Sequence, residues 1–571
     1  MTAAAHPLLP PACAAPAVWR VLDTRFDAAR LLALWQAWQA AGPAPRVLHV
    51  VACATQPPTA QAVRAAAVPG QTRLADELAA ACWGLLPGQH RLALAAGRLQ
   101  LTLCVGETAA LLREQRFEAD ALWIDPSLPW TPAALKALAR CSRRGCRAAG
   151  LPATPDAALA AALREAGFGW RDDGWCFDPP WALRRPVTAA AEPGRCAVVG
   201  AGVAGASVAA ALARRGWQVE VLDAAPAPAA GASGLPAGLL IPYASANDSP
   251  RARLTRAGLR LMRLEAQHLL RAGEDWGPTG VLELRLQGRG GLPCDWPAAG
   301  AEISRATDAR DGPEPWRASL HMADALWHAP AAWLQPARLV RAWLAQDGVR
   351  FRAQQQVAAL RALHPGWALL DAQGQTLAEA EQVVLANALD APRLLATAGL
   401  GLPAVHGMRG VLSWGLHRPA LDAVCPPHPV NGAGSFIPHV PTPEGPAWYA
   451  GSTYEASDGP AAPLAAHLQA DFDKLQRLLP AVAAALAADF AQQRVRSWEA
   501  VRCVSRDRLP LVGPVQDGEA PTLWVSTAMG SRGLSLAMLC AELLAARLGG
   551  EPWPVEARLA RHLDLHRHAQ A

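Results

Sequence analysis

One stretch of the sequence, RCAVVGAGVAGASVAAALARRGWQVEVLD at residues 195–223, restricts the fold more than any other. It contains a short apolar run, a glycine-rich turn, an apolar segment of helical length and a second apolar run that ends in an acid. Gly200, Gly202 and Gly205 have the spacing GxGxxG, in which the glycines permit a tight turn, a close backbone approach to a pyrophosphate and close packing of helix on sheet. The stretch therefore predicts a βαβ unit in an α/β domain with a parallel sheet.

The same stretch predicts a dinucleotide-binding site. The N-terminus of the predicted helix offers free N–H groups and the positive end of the helix dipole to phosphates. Asp223 lies 18 residues after Gly205, where a carboxylate can accept hydrogen bonds from ribose hydroxyls. The pattern serves both FAD and NAD, so the residues that follow decide between them.

Two later segments favour FAD. The small-residue loop GASGLPAGLLIPY at residues 231–243 permits a close backbone approach to a flavin, with Ser233 and Gly234 as predicted contacts. Near the C-terminus, the sequence predicts a strand and a long apolar helix whose N-terminus would stabilise the anionic edge of a reduced flavin. An ordinary buried helix has the same pattern. The turn between this strand and helix consists of Gly530, Ser531, Arg532, Gly533 and Leu534.

Length and composition limit the remaining possibilities. A chain of 571 residues that is 51% hydrophobic and 18% charged is globular and has room for two to four domains. The sequence has no long uncharged apolar run and no basic and apolar signal pattern at its start, so we expect a cytoplasmic protein without a membrane span. Twelve cysteines without a CxxC pair predict neither disulfides nor a metal site.

The residues before the glycine turn predict a second α/β domain. An amphipathic helix is expected over residues 31–42. A segment rich in Pro and Ala at 181–194 predicts a linker between domains at 1–180 and 195–571. Short apolar runs predict strands at Val18–Leu22, Arg46–Cys53, Leu99–Val105 and Ala119–Asp125.

Positive charge is concentrated in this front part. Residues 1–190 carry 19 basic and 14 acidic side chains, whereas the remainder carries 34 of each. A basic face on one domain is expected of a protein that binds RNA, although a solvated surface has the same composition. The local basic cluster consists of Arg140, Arg143, Arg144 and Arg147.

The motifs after residue 195 resemble the FAD-dependent glycine oxidase and D-amino-acid oxidase superfamily. They resemble more closely the C-terminal half of the bifunctional bacterial enzymes that build 5-methylaminomethyl-2-thiouridine at the tRNA wobble position. The matching stretches include GASGLPAGLLIP, VVLANA, VRCVSRDRLPLVG and GSRGLSLAMLCAELLAA, and the pairing of the last two is specific. The resemblance implies an N-terminal Rossmann-like methyltransferase fold and a C-terminal FAD-binding Rossmann domain. It also implies a mixed α+β substrate subdomain at about 271–330 and 405–500.

In that family the oxidase half removes the carboxymethyl group from 5-carboxymethylaminomethyl-uridine, so the resemblance implies FAD as cofactor and tRNA as substrate. A hydride leaves the carbon beside the amine for the flavin, the resulting imine hydrolyses, and a two-carbon oxo acid departs. A planar guanidinium is suited to holding the substrate carboxylate. By position in the family pattern, Arg502 is expected to do so. Arg506 and Asp507 form either a structural ion pair or part of the pocket.

The resemblance implies further site residues. Arg532 is expected close to the flavin ring as the second catalytic candidate, and Val357 is expected to contact the cofactor. Tyr454 is the third catalytic candidate, as a pocket hydroxyl, or is a half-buried core residue. Asn387 ends the apolar run QVVLAN beside the flavin, where Ala388 replaces a common glycine.

The front part keeps the order of the family's methyltransferase motifs but lacks the cofactor chemistry. Side chains of Arg25 and Asp27 stand where a glycine-rich loop would cradle S-adenosylmethionine, and the ribose-binding carboxylate falls at Ala54. The loop after Asp125 is also altered. We therefore expect a degenerate methyltransferase fold that does not bind S-adenosylmethionine or binds it feebly, and that docks the oxidase and holds tRNA. If the activity survives, Asp125 and Glu107 are the remaining polar candidates.

Three alternatives stay open. One is a glycine oxidase-like enzyme for small amines, the second is a bifunctional enzyme with an active methyltransferase, and the third is a flavin-binding RNA module without turnover. The family order of the front part and its charge favour tRNA as partner. We expect a monomer.

Overall fold

The structure is a computed structural model that describes residues 6–10, 18–40, 47–171, 174–183, 190–285, 291–321, 323–516, 518 and 520–567. The chain divides into two compact units. The first consists of Met1–Glu192, Gly518–Ala520 and Ala545–Arg561, and the second consists of the remainder. The linker predicted at 181–194 stays a prediction, because 184–189 lie outside the described residues, as do Arg46 and the last two residues of the helix predicted at 31–42.

The first unit is built on one sheet with the strand order β3-β4-β2-β1-β5-β6-β8-β7. The strands from β4 to β6 in this order are parallel, whereas β3 and β8 run antiparallel to their neighbours. The strands are β1 (Val18–Asp23), β2 (Val47–Ala54), β3 (Gly88–Leu94), β4 (Leu99–Val105), β5 (Ala119–Trp123), β6 (Ser142–Ala149), β7 (Phe168–Arg171) and β8 (Gly174–Phe177).

Helices of this unit begin where the sequence supplies capping groups. Side-chain oxygens of Thr59, Thr131 and Asp156 accept hydrogen bonds from the first turns of three helices, which satisfies backbone donors that lack partners within the helix. The predicted helix at 31–42 begins earlier, at Ala28. The helices are α1 (Ala28–Ala40), α2 (Ala60–Ala65), α3 (Thr72–Ala81), α4 (Thr108–Arg113), α5 (Pro132–Arg140), α6 (Ala157–Glu165) and, near the C-terminus, α16 (Ala557–Ala560).

The second unit contains a parallel sheet with the order β17-β10-β9-β21-β29-β28, in which β28 alone is antiparallel to its neighbour. Its central strands are apolar and buried, as expected of a sheet covered on both faces. The strands are β9 (Arg195–Val199), β10 (Gln218–Leu222), β17 (Val349–Arg352), β21 (Gln382–Leu385), β28 (Leu511–Pro514) and β29 (Leu523–Thr527).

A mixed sheet forms the other large layer of this unit, with the order β14-β15-β13-β23-β24-β25-β22-β26 and with β27 paired to β22. Its strands are β13 (Val281–Leu284), β14 (Arg305–Asp308), β15 (Asp324–His328), β22 (Val405–Leu416), β23 (Val430–Gly432), β24 (Gly434–Thr442), β25 (Gly445–Gly451), β26 (Glu455–Ala456) and β27 (Arg496–Ser505). Small sheets contain β11 (Gly238–Leu240), β12 (Trp276–Gly277), β16 (Ala332–Leu334), β18 (Ala359–Ala362), β19 (Trp367–Leu370) and β20 (Thr376–Ala380).

The helices of the second unit are α7 (Val203–Ala213), α8 (Pro250–Leu269), α9 (Ala298–Ala301), α10 (Pro315–Ala318), α11 (Pro336–Leu344), α12 (Ala391–Thr397), α13 (Leu464–Leu478), α14 (Pro480–Ala491) and α15 (Gly533–Gly549). None of the helices in the described ranges combines the length and the apolar character that a membrane span requires. The predicted fold class, α/β with a parallel βαβ unit after residue 195, is confirmed.

Candidate active site

A cavity of about 1210 Å³ opens at the carboxyl edge of the parallel sheet in the second unit. Open α/β sheets bind ligands at this edge, because the loops that follow neighbouring parallel strands meet there. Of the described residues predicted for the site, Gly205, Gly234 and Tyr454 are not part of the cavity wall. The predicted residues that line it are Gly200, Gly202, Asp223, Ser233, Val357, Asn387, Arg502, Gly530, Ser531, Arg532, Gly533 and Leu534.

The glycine turn between β9 and α7 brings backbone close to backbone. Gly200 has a φ of +106°, a conformation that L side chains rarely adopt. A Cβ atom on Gly205 would lie 1.9 Å from the carbonyl oxygen of Gly200. The helix therefore packs so closely on the turn that no side chain fits at Gly205, which is the packing role predicted from the sequence.

Polar side chains hold this turn in place. Asp223, directly after β10, accepts a hydrogen bond from the backbone N–H of Ala201 at 2.6 Å and another from Ala225 at 2.9 Å. The Oγ atom of Ser233 accepts from the N–H of Val203, in the first turn of α7, at 2.9 Å. Both predicted polar residues are thus positioned against the glycine turn that the cavity exposes.

The residues after β21 line the cavity next to the glycine turn. Asn387 has a buried Oδ1 atom without a hydrogen-bond partner among the described residues, so the amide can accept from a bound molecule. The following Ala388 has a φ of +54°, which costs an alanine about 1 kcal/mol relative to glycine. Glycine would adopt this conformation without that cost.

Arg502 combines burial with an unused donor. It lies on β27, and its Nη2 atom donates to Oγ of Ser452 at 2.9 Å. Its Nη1 atom is buried and has no hydrogen-bond partner in the part of the chain that is described. Desolvation by burial lowers the pKa of the guanidinium, so an anion in the cavity would relieve an existing cost.

Arginines surround two exposed tyrosines beside this position. Arg532 and Arg251 lie over the ring of Tyr243 at 5.3 and 5.6 Å, and Arg508 lies over that of Tyr454 at 5.6 Å. The exposed fractions of Tyr243 and Tyr454 are 37% and 40%. We call these five residues the arginine–tyrosine cluster. Of these five residues, sequence reasoning identified only Arg532 and Tyr454. It did not identify Tyr243, Arg251 or Arg508, because no local pattern shows that their side chains meet.

Burial lowers the pKa of Arg532, and the neighbouring charge of Arg251 lowers it further. Asp507 does not line the cavity among the described residues; it forms an ion pair with Arg567 through two hydrogen bonds of 2.8 Å. These contacts lower the pKa of Asp507 against the effect of desolvation. Asp507 therefore forms a structural ion pair, and its partner in these two bonds is Arg567 instead of Arg506.

A buried network that the sequence did not reveal supports Ser452. Lys474 donates from Nζ to the carbonyl oxygen of Ser452 at 2.8 Å, and Ser413 donates from Oγ to Asp471 at 3.0 Å. Desolvation raises the pKa of Asp471 to about 7. The carboxyl group thus titrates near neutral pH close to the residue that orients Arg502.

Replacing Asp471 with asparagine is expected to change how stability depends on pH. The folded-state pKa of Asp471 is raised, so the folded chain binds the proton more tightly than the unfolded chain between the ordinary aspartate pKa of 3.8 and about 7. Its contribution to the free energy of unfolding falls by on the order of 4 kcal/mol as pH rises through that window.

Melting temperatures from about pH 5 to about pH 8 test this. The melting temperature of Asp471→Asn minus that of the unsubstituted protein should increase with pH, because only the unsubstituted protein loses the contribution of Asp471. The variant Asp473→Asn, at an exposed position of the same helix, serves as control and should give a constant difference. A constant difference for Asp471→Asn as well would contradict the raised pKa.

In the first unit, ion pairs cross the position where a ligand would be expected. The strand order reverses at β1, which has β2 on one side and β5 on the other, and ligands bind at the carboxyl edge of such a switch. Asp23 accepts hydrogen bonds from Arg30 at 2.9 and 3.2 Å, while Arg25 donates to Asp125 at 3.1 Å and to Ser127 at 3.0 Å. The unit's own side chains therefore bridge this edge.

The other polar candidate of this unit has a structural contact as well. Glu107 precedes α4, and its carboxylate accepts hydrogen bonds from the N–H groups of Ala109 at 2.8 Å and Ala110 at 2.6 Å. This is the geometry of a helix N-cap.

Burial raises the pKa of Asp23 to about 6, although the hydrogen bonds and charge of Arg30 act in the opposite direction.

Known proteins match both the second unit and nearly the whole chain. The model of the family described as FAD dependent oxidoreductase matches residues 195–547. The tRNA 5-methylaminomethyl-2-thiouridine biosynthesis bifunctional protein MnmC of Albidiferax ferrireducens is 42% identical over 611 aligned residues, which cover 98% of this chain and 95% of that protein. The protein of the same name from Polaromonas naphthalenivorans is 43% identical over 581 residues, which cover 97% and 90%.

Among solved structures, glycine oxidase from Geobacillus kaustophilus superposes with a TM-score of 0.51 at 21% identity, covering 66% of this chain and 99% of that one. At this identity the similarity concerns the fold alone. The sequence relatives establish the family as well, because they are well above 30% identical over almost their full length. The chain belongs to the FAD-dependent oxidoreductases and, over nearly its whole length, to the family of bifunctional 5-methylaminomethyl-2-thiouridine biosynthesis proteins.

Proposed function

We propose that this protein oxidatively removes the carboxymethyl group from 5-carboxymethylaminomethyl-(2-thio)uridine in tRNA, giving 5-aminomethyl-(2-thio)uridine. The methylation that would follow is lost or weak. The observation that carries the oxidase proposal is Arg502, a half-buried arginine in the cavity wall whose buried Nη1 atom has no partner among the described residues. An acid-bearing amine supplies the carboxylate that such a group requires.

The cavity residues fit FAD. The unpartnered Oδ1 atom of Asn387 in the cavity wall suits a cofactor that is bound largely by backbone and amide groups, and the close packing of α7 at Gly205 fixes the glycine turn that the cavity exposes. The turn at Gly200 and Gly202, Ser233 and the start of α15 would hold it as well. Bound FAD supplies an acceptor for two electrons from the carbon beside the substrate amine.

The protein's own residues position the substrate. Arg502 would hold the carboxylate through its terminal nitrogens, with Ser452 fixing the orientation of the guanidinium. An apolar, water-excluding environment lowers the pKa of a substrate amine, so that it is neutral before oxidation. The chain therefore needs no strong base of its own for this reaction.

The arginine–tyrosine cluster supports tRNA as substrate. Exposed tyrosine rings stack on unpaired bases, and arginines attract phosphates. By contrast, the basic cluster of the first unit is partly neutralised, because Arg143 pairs with Asp120 at 2.6 Å and Arg144 pairs with Asp178 at 2.8 Å. Contact with tRNA beside the cavity is therefore expected to depend mainly on the arginine–tyrosine cluster.

Changing Tyr243 or Tyr454 to alanine is expected to raise the KM for tRNA about 5- to 100-fold, because stacking on one base contributes about 1–3 kcal/mol. The limiting rate of flavin reduction should stay within about twofold, because the proposed reaction uses the carboxylate clamp of Arg502 and no tyrosine hydroxyl. Anaerobic flavin reduction at increasing tRNA concentrations measures both quantities. Trp170→Ala, which removes another exposed aromatic ring, is the control. Unchanged KM values in both tyrosine variants would count against tRNA contact at the cluster.

Mass spectrometry of wobble nucleosides tests the proposed reaction. Protein is incubated with tRNA carrying the carboxymethylaminomethyl group, with and without S-adenosylmethionine. We expect the aminomethyl product in both samples, because ion pairs of Asp23 and Arg25 bridge the ligand edge of the first unit. A methylated product would contradict the loss of methylation. Unchanged tRNA, together with rapid peroxide release from glycine or sarcosine, would instead favour a small-molecule oxidase.

A further inference from the structure

Three residues with metal-binding side chains meet in the second unit, away from the cavity. His417 directly follows β22, Cys425 lies in the loop before β23, and His439 lies within β24. One donor atom from each lies within 4.8 Å of the other two. Ligands of a tetrahedral zinc ion are about 3.4–3.6 Å apart at ordinary bond lengths, so small side-chain rotations suffice to bring them onto one ion.

The hydrogen bonding of His417 prepares one ring nitrogen as a ligand. Its Nε2 atom lies 2.8 Å from Oδ1 of Asp422, so Nε2 carries the proton that is donated to this carboxylate. The other nitrogen, Nδ1, then has a free lone pair. This atom is buried and has no hydrogen-bond partner in the described part of the chain. Metal-binding histidines usually donate their second N–H group to a carboxylate in this way.

The backbone at His439 has a conformation that is uncommon for residues other than glycine. His439 has a φ of +54° and lies at an irregularity of β24, where the register with β25 shifts between Ile437 and Val440. Its ring centroid is 4.7 Å from that of His417. Backbone strain of this kind is concentrated at functional sites, because the surrounding structure must maintain it.

We propose that His417, Cys425 and His439 bind one divalent transition metal ion of the zinc type, with Asp422 orienting His417. Two imidazoles and one thiolate are ligands that zinc prefers, and a water molecule or an external ligand completes four-coordination. The ion would tie the loop between β22 and β23 to β24. This proposal departs from the sequence-based expectation of no metal site, which rested on the absence of CxxC.

Burial raises the pKa of the Cys425 thiol to about 12. A cation bound at Sγ would offset this effect, because positive charge stabilises the thiolate. The spacing of the ligands along the chain, with seven residues between the first two and thirteen between the last two, differs from the short pairs of zinc-finger motifs. Only the pairing of the strands brings them together.

Titration of the full-length flavoprotein with Co²⁺ tests the site. Difference spectra against the metal-free protein should show one equivalent of tetrahedral Co²⁺, with d–d bands and a thiolate-to-cobalt charge-transfer band, and Zn²⁺ should abolish both. Cys425→Ser should remove the charge-transfer band, and Asp422→Asn should weaken metal binding about 10- to 100-fold.

Cys294→Ser, which alters an exposed cysteine elsewhere, is the matched control and should bind Co²⁺ like the unsubstituted protein. The flavin spectrum should be the same in all variants, because none of these residues lines the cavity among those described. The proposal is overturned if no charge-transfer band develops, or if the band is equally strong in Cys425→Ser.

Discussion

Replacing Arg502 with lysine is expected to slow flavin reduction by about 10²-fold or more while FAD stays bound. Lysine keeps the positive charge but loses the planar pair of donors that can hold a carboxylate bidentately. The burial of the Nη1 atom strengthens the effect, because a charge moved away from its partner in a partly desolvated position costs more than one at the surface. The contact of Nη2 with Ser452 would also be lost.

Anaerobic stopped-flow absorbance of the flavin measures this rate at saturating substrate. Arg496→Lys is the matched control, since Arg496 lies on the same strand, is half-exposed and pairs with Glu444 at 2.7 Å. The control should reduce its flavin at the normal rate. Equal rates for Arg502→Lys and the unsubstituted protein would remove Arg502 from the role of carboxylate clamp.

Replacing Gly205 with alanine is expected to lower FAD affinity by about 10²-fold or more. The added Cβ atom would lie 1.9 Å from the carbonyl oxygen of Gly200 and 3.2 Å from Cγ1 of Val198. The backbone of Gly200 and strand β9 cannot shift enough to make room for this atom, so α7 must move away from the sheet. The helix N-terminus then no longer presents its N–H groups at the pyrophosphate position.

Flavin absorbance per protein chain and the fluorescence of released flavin report this loss. Gly231→Ala is the control, because Gly231 lines the cavity itself, has a φ of −89°, and would have no neighbour within 4 Å of an added Cβ atom. Circular dichroism establishes that both variants are folded. Full flavin content in Gly205→Ala would show that close helix packing is not needed for binding.

The sequence predicted those parts of the fold that depend on local patterns. The strand at 99–105 was placed at its observed bounds, and the glycine turn, α7 and β10 follow in the expected order. These features depend on residue periodicity and on glycines whose roles are fixed by their neighbours. The segment Ala545–Arg561 belongs to the first unit although parts of the second unit precede and follow it in the chain, which no local pattern indicated.

The surroundings of the site were less predictable. Arg502 could be chosen from a family pattern, but its partner Ser452 lies 50 residues earlier and is supported by Lys474 from a third segment. Tyr243 and Arg251 were missed for the same reason. Tertiary proximity of polar residues has no periodicity, so the sequence alone does not show it.

Ala388 is an instructive case. The family resemblance implied a glycine at this position. The structure shows that the backbone there has a positive φ at the turn after β21, a conformation that favours glycine. The ligand set of His417, Cys425 and His439 was likewise hidden by its long spacing. In both cases the deciding information is backbone geometry.

The most direct measurement is anaerobic mixing of the purified yellow protein with tRNA that carries 5-carboxymethylaminomethyl-uridine at the wobble position. We expect the flavin absorbance to be bleached in one phase, and a two-carbon oxo acid and the aminomethyl nucleoside to form in equal amounts. The same tRNA lacking the carboxymethyl group should leave the flavin oxidised. Flavin that stays yellow with both tRNAs, or protein that remains colourless after incubation with FAD, would contradict the account.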